Sequence, residues 1–439
     1  MIATGFRFAR RSRSSFGQRT LLATAALKYA IIIPDGCGDQ PIAELGGRTP
    51  LQAAKLPAMD AIAADGRVVQ TDNTPTEFPA GSEVANLCLL GYDPHRYFTG
   101  RAPLEAAASG IELGKHDFAI RTNIVRIENG VMKDFTADHI DDESAAAILR
   151  TANERLRGSD SPLADEDLRQ RMEFVPGVSY RNLLIYRGDA SVAPPFSSET
   201  RTMAPHDLTD LAVADDFPRG PGSDVLVRLM NDSPTFIADH PANKQRVQSG
   251  KQAATHLWLW GLGGAPNLPS FESRFGVRGV MITAVDLLRG IAALAGWPRI
   301  EVEGATGYLD TDYAAKGRAA VQALEEYDLV CVHIEAPDEA SHEGRHAAKI
   351  EALQQIDHHI VGPLRDALRQ YGHHRILVTP DHPTFCSTKK HTHGPIPAAM
   401  CGSGIQVDDA KSYDEATAAE SPTRYEHGWD LMPDFVGSS

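Results

Sequence analysis

Tyr29-Ala-Ile-Ile-Ile33, followed by Pro34-Asp35-Gly36, decides the reading of the fold. Five β-prone apolar residues run into a proline and an Asp-Gly turn. That pattern predicts a buried strand ending in a turn, with a carboxylate at its exit. Two later stretches repeat it. Asp328-Leu-Val-Cys-Val-His-Ile334 runs into Glu335-Ala-Pro-Asp338, and Arg375-Ile-Leu-Val-Thr379 runs into Pro380-Asp381-His382. Helical stretches precede both, over Tyr313–Glu326 and Ile350–Gln370. Helix alternating with buried strand predicts an α/β sandwich around a mostly parallel sheet. In such sheets ligands bind beyond the carboxyl ends of the strands, where these three strands place their Asp and His residues.

The middle of the chain, from about Lys115 to Pro269, has shorter strands and more Pro/Gly punctuation, as in Pro218-Arg-Gly-Pro-Gly222 and Gly261-Leu-Gly-Gly264. It predicts a smaller α+β domain inserted into the first. The organisation expected is a discontinuous core at 28–114 plus 270–405, an inserted substrate-binding domain at 115–269, a leader or disordered extension at 1–27, and a tail at 406–439. The leader carries Arg7, Arg10, Arg11, Arg13 and Arg19 and no acid, a composition shared by transit segments and by plain disordered extensions. No internal repeat occurs. Trp258 and Trp260 alternate in a strand-like segment and read as core.

The 439 residues include 42% apolar and 23% charged residues, the balance of a globular protein. The net charge of −15 argues against nucleic acid as a partner, because phosphate backbones need concentrated positive charge. It leaves room for a small anionic substrate held by a few local Arg or Lys residues. No run reaches the about 18 apolar residues that span a bilayer. The five cysteines are odd in number and form no CxxC pair, which suits a reduced intracellular protein. Cys37 and Cys88 read as small packed residues.

Histidine is in excess, with 17 residues, most of them between His333 and His393. In Ala336-Pro-Asp338-Glu-Ala-Ser-His342-Glu-Gly344, Asp338 and His342 are four apart. A helix starting at Pro337 would put both on one face, able to grip one metal ion. The plain alternative is a helix-start acid and a surface histidine. Asp381-His382 lies directly after a strand and reaches one metal only through a bent backbone, which Pro383 favours; otherwise Asp381 caps a helix. In Lys390-His391-Thr392-His393-Gly394-Pro395, either histidine, both or neither could be a ligand. In Pro79-Ala80-Gly81-Ser82-Glu83-Val84-Ala85-Asn86, Ser82 opens a helical run. It is either an ordinary cap or a nucleophile activated by an adjacent metal. Together these supply three carboxylates, up to four imidazoles and one hydroxyl, enough for two divalent ions. Such pairs, about 3.5–4 Å apart, serve phosphoryl transfer. Imidazoles with a pKa near 6.5 are mostly neutral at pH 7 and free to ligate. Mixed nitrogen and oxygen donors favour manganese(II) or zinc(II), with magnesium(II) behind them.

Asp35, Gly81-Ser82, Asp338 with His342, Asp381-His382 and a later histidine match the metal-site order of the alkaline phosphatase superfamily. Within it the chain resembles the cofactor-independent phosphoglycerate mutases of the archaeal type. Supporting stretches are Glu44-Leu-Gly-Gly-Arg-Thr-Pro-Leu51, Leu89-Leu-Gly-Tyr-Asp-Pro94, Tyr97-Phe-Thr-Gly-Arg-Ala-Pro-Leu-Glu105 and Gly304-Ala-Thr-Gly307. The resemblance runs from about Lys28 to Gly402.

The resemblance implies an alkaline-phosphatase-like α/β/α sandwich with an inserted domain. It implies a cytoplasmic glycolytic isomerase acting on a small phosphorylated substrate through a phosphoserine at Ser82. It also implies one metal held by Asp35, Ser82, Asp381 and His382, and another by Asp338, His342 and His391. His391 is preferred to His393 because the family pattern places a basic residue, one intervening residue, the histidine and then Pro-x-Pro, a frame that Lys389, His391 and Pro395-Ile-Pro397 fit. Arg121, Arg181 and Lys316 are the expected substrate contacts. One departure points to an alternative. Relatives often carry His four residues after the Ser, whereas this chain has Asn86. The wording around Ser82, Asp35 and Asp338 resembles a sister group proposed to act as homoserine kinases. No Walker-type phosphate loop is present to bind a nucleotide in the familiar way. A third reading, a metal-binding scaffold without catalysis, requires the metal ligands without a working nucleophile. Oligomeric state leaves no signature in the sequence.

Overall fold

The apolar run at Tyr29 forms a strand buried on both faces. Ala30 and Ile32 enter one core, while Tyr29, Ile31 and Ile33 enter another. A strand whose alternate residues are all apolar must be covered on both sides, so helices flank it front and back. The computed structural model describes residues 27–437. The expected leader, 1–27, therefore lies almost wholly outside the described residues.

The strands, in chain order, are β1 (Lys28–Pro34), β2 (Gly66–Thr71), β3 (Phe118–Glu128), β4 (Val131–Asp134), β5 (Met172–Val178), β6 (Arg181–Tyr186), β7 (His256–Gly264), β8 (Gly279–Ile282), β9 (Leu329–Ile334), β10 (His374–Val378), β11 (Thr384–Phe385), β12 (Lys390–His391), β13 (Ile396–Gly402) and β14 (Arg424–Tyr425). Seven build one sheet in the order β14-β2-β13-β10-β1-β9-β8. β1 pairs in parallel with both β9 and β10, which brings the exits of all three to one edge. β13 runs antiparallel to both its neighbours, so the sheet is mixed. One face is covered by helices that include Tyr313–Ala323 and His346–Ile356, which contribute Ala320, Ala323, Leu353 and Ile356. The other is covered by Ser82–Leu89, Asp286–Leu294 and Leu431–Val436.

A second, five-stranded sheet comes from the middle of the chain, in the order β4-β3-β6-β5 with β7 on the far side of β3. It is antiparallel and packs a separate core against the helix Asp142–Arg157, through Ile148, Leu149 and Ala152. Helix Arg101–Ala108 lies against the opposite face, with Ala102 and Ala106 on Ala119, Leu183 and Ile185.

The segment read as a tail, 406–439, packs through its described residues. β14 adds to the seven-stranded sheet beside β2, and helix Leu431–Val436 buries Leu431, Met432, Phe435 and Val436. Its apolar positions fall at i, i+1, i+4 and i+5, one face of a short helix. At about 1.5–3 kcal/mol for each large buried side chain, the four supply roughly 6–12 kcal/mol. That is comparable to the ~5–15 kcal/mol net stability of a folded protein. Truncation after residue 405 should therefore give insoluble or unfolded protein, which a solubility assay and a circular dichroism melt of the deletion check.

Candidate active site

Asp35 leaves β1, Asp338 stands in the first turn of helix Ala336–His342 just after β9, and Asp381 stands three residues beyond β10. All three carboxylates are buried, as is His382. The backbone turns sharply to bring them together. Gly36 adopts φ +59°, and a Cβ there would collide with Asp338 Oδ1 and Thr384 Oγ1, so only glycine fits.

The donor atoms fall into two adjoining groups. His382 Nε2 is 3.5 Å from both Asp35 Oδ1 and Asp381 Oδ2, and 3.0 Å from Ser82 Oγ. Asp338 Oδ2 is 3.0 Å from His342 Nε2 and 3.5 Å from His391 Nε2. The two imidazole nitrogens stand 2.9 Å apart. The rings of His382 and His391 lie 4.1 Å apart, which joins the groups. His393 turns away, its Nδ1 2.9 Å from the Thr74 carbonyl oxygen.

The outer contacts set which ring nitrogens are bare. His342 Nδ1 donates to the Lys389 carbonyl oxygen at 2.9 Å, so in the neutral ring Nε2 carries the lone pair and faces inward. Thr384 Oγ1 donates to Asp338 Oδ1 at 2.5 Å and can then accept from His382 Nδ1 at 3.1 Å. That leaves His382 Nε2 bare toward Ser82. Asn86, one helical turn after Ser82, donates to Asp381 Oδ2 at 2.7 Å and to the Ser82 carbonyl oxygen at 3.0 Å. It ties the helix that starts at Ser82 to Asp381. Ser82 is the first residue of its helix, with Gly81 as the cap, so its hydroxyl is not spent on capping.

The site carries more negative charge than its side chains balance. Burial, then the carboxylates of Asp381 and Asp338, push Asp35 well above the usual range. Burial and Asp35 do the same to Glu335. Asp35 Oδ1 and Glu335 Oε2 are buried without a hydrogen-bond partner. Burial would also raise Asp338, but His342 and His391 hold it well below its ordinary value. His342 is pushed up to about 9, first by its hydrogen bond to Asp338. An orphaned buried carboxylate oxygen among further carboxylates and imidazoles is the kind of donor set that divalent cations need. Donor atoms close enough to share one ion come from Asp35, Asp381 and His382, from Asp338, His382 and His391, and from Asp35, His333 and Glu335.

Arg121 and Arg181 occupy one face of the second sheet. Arg121 pairs with Leu183 and Arg181 with Asn123, so the two-residue period points them the same way. Arg121 lies 4.3 Å from the Trp260 ring centroid and pairs with Glu105 at 2.8 Å. Burial, only partly offset by Glu105, draws it down to about 10. Arg181, with Arg101, Glu105 and Asp286, lines a cleft of about 190 Å³. Lys316 is not brought to this wall. It is buried on the helix Tyr313–Ala323, its Nζ 3.5 Å from the Thr306 carbonyl oxygen, and burial lowers it to about 8 beside Glu335.

Several contributors have no local signal in the sequence. Arg101 links the wall to the Ser82 helix: it bonds Glu105 at 3.2 Å and approaches Glu83, the residue after Ser82, at 3.8 Å. His333 holds Asp35 Oδ2 at 2.7 Å from behind. His206 packs edge-on against Trp260 at 5.4 Å. A polar residue inside the otherwise apolar β9 was the only available hint of His333.

The profile of the 2,3-bisphosphoglycerate-independent phosphoglycerate mutase family matches residues 63–243. A mutase of that name from Methanothrix thermoacetophila is 42% identical over 92% of this chain and 98% of its own. One from Methanosarcina mazei is 44% identical over 94% of this chain and all of its own. Among solved structures, the PH0037 protein of Pyrococcus horikoshii superposes with a TM-score of 0.76 at 29% identity, over 94% of this chain and 98% of that one. The cofactor-independent phosphoglycerate mutase of Thermoplasma acidophilum shares the fold, with a TM-score of 0.60 at 24% identity over 93% of this chain and 98% of that one. With near full-length relatives at this identity, the chain belongs to the family of 2,3-bisphosphoglycerate-independent phosphoglycerate mutases.

Proposed function

We propose that this protein interconverts 3-phosphoglycerate and 2-phosphoglycerate through a phosphoserine at Ser82. The observation that carries the reading is the placement of Ser82 Oγ, free at a helix start and 3.0 Å from the bare His382 Nε2, on the edge of the carboxylate and imidazole cluster. Relatives named as mutases at 42% and 44% identity support it over homoserine phosphorylation. Five free, buried cysteines suit the cytoplasm.

Asp35, Ser82, Asp381 and His382 hold one divalent ion, and Asp338, His342 and His391 the other, manganese or zinc foremost. When bound, such ions neutralise the transferring phosphoryl group and lower the proton affinity of the Ser82 hydroxyl. Ser82 Oγ bonds to phosphorus while the bond from phosphorus to the 3-oxygen of glycerate breaks, and the serine proton ends on that oxygen. Arg121, Arg181 and Arg101 retain the glycerate by its carboxylate as it turns. Its 2-oxygen then takes the phosphoryl group, and its proton returns to Ser82. No water enters the balance. Lys316, away from the arginine wall and held at about 8 by burial, stays a proposed substrate contact.

With 3-phosphoglycerate, manganese and a coupled enolase assay, the wild type should turn over. Ser82→Ala should lose on the order of 10⁴-fold or more in kcat. Release of inorganic phosphate in place of 2-phosphoglycerate would make the protein a phosphatase. Phosphohomoserine formed from ATP and homoserine, with no mutase turnover, would replace the reading with the kinase. Arg121→Met should raise KM about 10–100-fold, since a charge-assisted contact is worth roughly 1.5–3 kcal/mol.

Metal binding should depend on pH with a definite sign. In the metal-free protein His342 keeps its proton up to about 9. A cation must displace that proton, so metal affinity should rise with pH across the interval from about 6.5 to about 9, with proton release measurable by calorimetry in buffers of different ionisation enthalpy. A folded pKa above the unfolded one stabilises fully below about pH 6.5 and fades as pH rises through about 9. The contribution of this contact to metal-free stability should fall over the same interval in which metal affinity climbs.

A further inference from the structure

Lys349 is a fully buried lysine on the helix His346–Ile356. Burying an ammonium is costly unless its protons all find acceptors. Here they do. Lys349 Nζ donates to the Gly38 carbonyl oxygen at 3.3 Å, to Asp39 Oδ2 at 3.0 Å and to the Thr384 carbonyl oxygen at 2.9 Å. Gly38 and Asp39 belong to the turn that carries Asp35. Thr384 belongs to the segment that carries Asp381, His382 and His391. Its own hydroxyl bonds Asp338 and contacts His382. One ammonium therefore clamps two of the stretches that supply candidate ligands, the Asp35 turn and the 381–391 segment.

The clamp is reinforced from outside. Asp39 Oδ2 also accepts from the Cys386 amide at 3.2 Å. The Asp39 amide donates to Glu415 Oε1 at 3.0 Å, and Glu415 Oε2 accepts from Thr49 Oγ1 at 2.6 Å. The Thr384 amide donates to the Gly38 carbonyl oxygen at 3.1 Å.

We propose that Lys349 and Asp39 are a positioning pair: they set the separation between the Asp35 turn and the 381–391 segment, and so the affinity for the metal pair, while touching neither metal nor substrate. The inference rests on the two-metal reading above. An apolar or neutral pair of similar volume would serve the fold as well, since replacing both members of a buried ion pair is often neutral in stability. The pair's particular service is geometric, because outer contacts that orient ligands govern metal affinity.

The test compares the wild type, Lys349→Met and the double variant Lys349→Met with Asp39→Asn. Manganese binding is followed by equilibrium dialysis, and melting by calorimetry on protein stripped with chelator. Lys349→Met should lower both the metal-free melting temperature and the manganese affinity, the latter about 10–100-fold. The double variant should regain the melting temperature, because no unpaired buried charge remains, while its affinity stays about 10–100-fold down. At saturating manganese its kcat should fall with KM for 3-phosphoglycerate unchanged. If Lys349→Met fails to fold, the double variant alone decides. Manganese affinity that follows the metal-free melting temperature across the variants, or variants that bind manganese as the wild type does, would overturn the inference. A wild type that binds no divalent ion would sink the metal reading itself, a result distinct from unaffected variants.

Discussion

Four buried or nearly buried carboxylates, Asp35, Glu335, Asp338 and Asp381, crowd the exits of three parallel strands, and their mutual repulsion is the constraint around which the molecule is arranged. Parallel pairing of β1 with β9 and β10 forces the three exits together. Once there, the carboxylates need imidazoles, backbone amides and cations to persist in a low-dielectric interior. The Gly36 and His382 amides both donate to Asp381 Oδ1. His333 supports Asp35, and Lys349 anchors the turn behind it. The same crowding that taxes the metal-free fold makes the place attractive to divalent ions.

The two sheets divide the labour by charge. The seven-stranded sheet presents the negative, cation-seeking edge; the five-stranded sheet presents Arg121 and Arg181, with Arg101 on the adjoining helix. Ser82 stands at the junction, since the next residue, Glu83, approaches Arg101 while its hydroxyl meets His382. In the proposed reaction a phosphorylated carboxylic acid draws on both walls, metal charge at the phosphoryl end and guanidinium groups at the carboxylate end. The overall charge of −15 conceals this local arrangement.

Much of the architecture was legible because it is written in local pattern. The apolar runs ending in Pro or Asp marked β1, β9 and β10, and the i, i+4 spacing of Asp338 and His342 anticipated their 3.0 Å approach. What was not legible depends on contacts across hundreds of residues. Lys349 and Gly38 are 311 positions apart, and a lysine on an amphipathic helix reads as a solvated residue until both partners are in place. Arg101, four residues before Glu105, looks like an ordinary surface pair. The antiparallel course of β13 has no signature beyond its apolar run, and residues 406–437 gain their packing from distant parts of the chain, as where β14 pairs with β2 and the Tyr413 amide donates to Asp60. The burial of Lys316 has no local signature, because it comes from packing of its helix against the sheet.

The central claim is that the phosphoryl group rests on Ser82 between its two positions on glycerate. The direct measurement is rapid acid quench of manganese-loaded enzyme turning over 3-phosphoglycerate, followed by peptide mass spectrometry. The account predicts the mass of one phosphoryl group on the peptide containing Ser82, localised to that residue, absent without substrate and absent in Ser82→Ala. A phosphoryl group on another side chain, or turnover by Ser82→Ala at the wild-type rate, would contradict it.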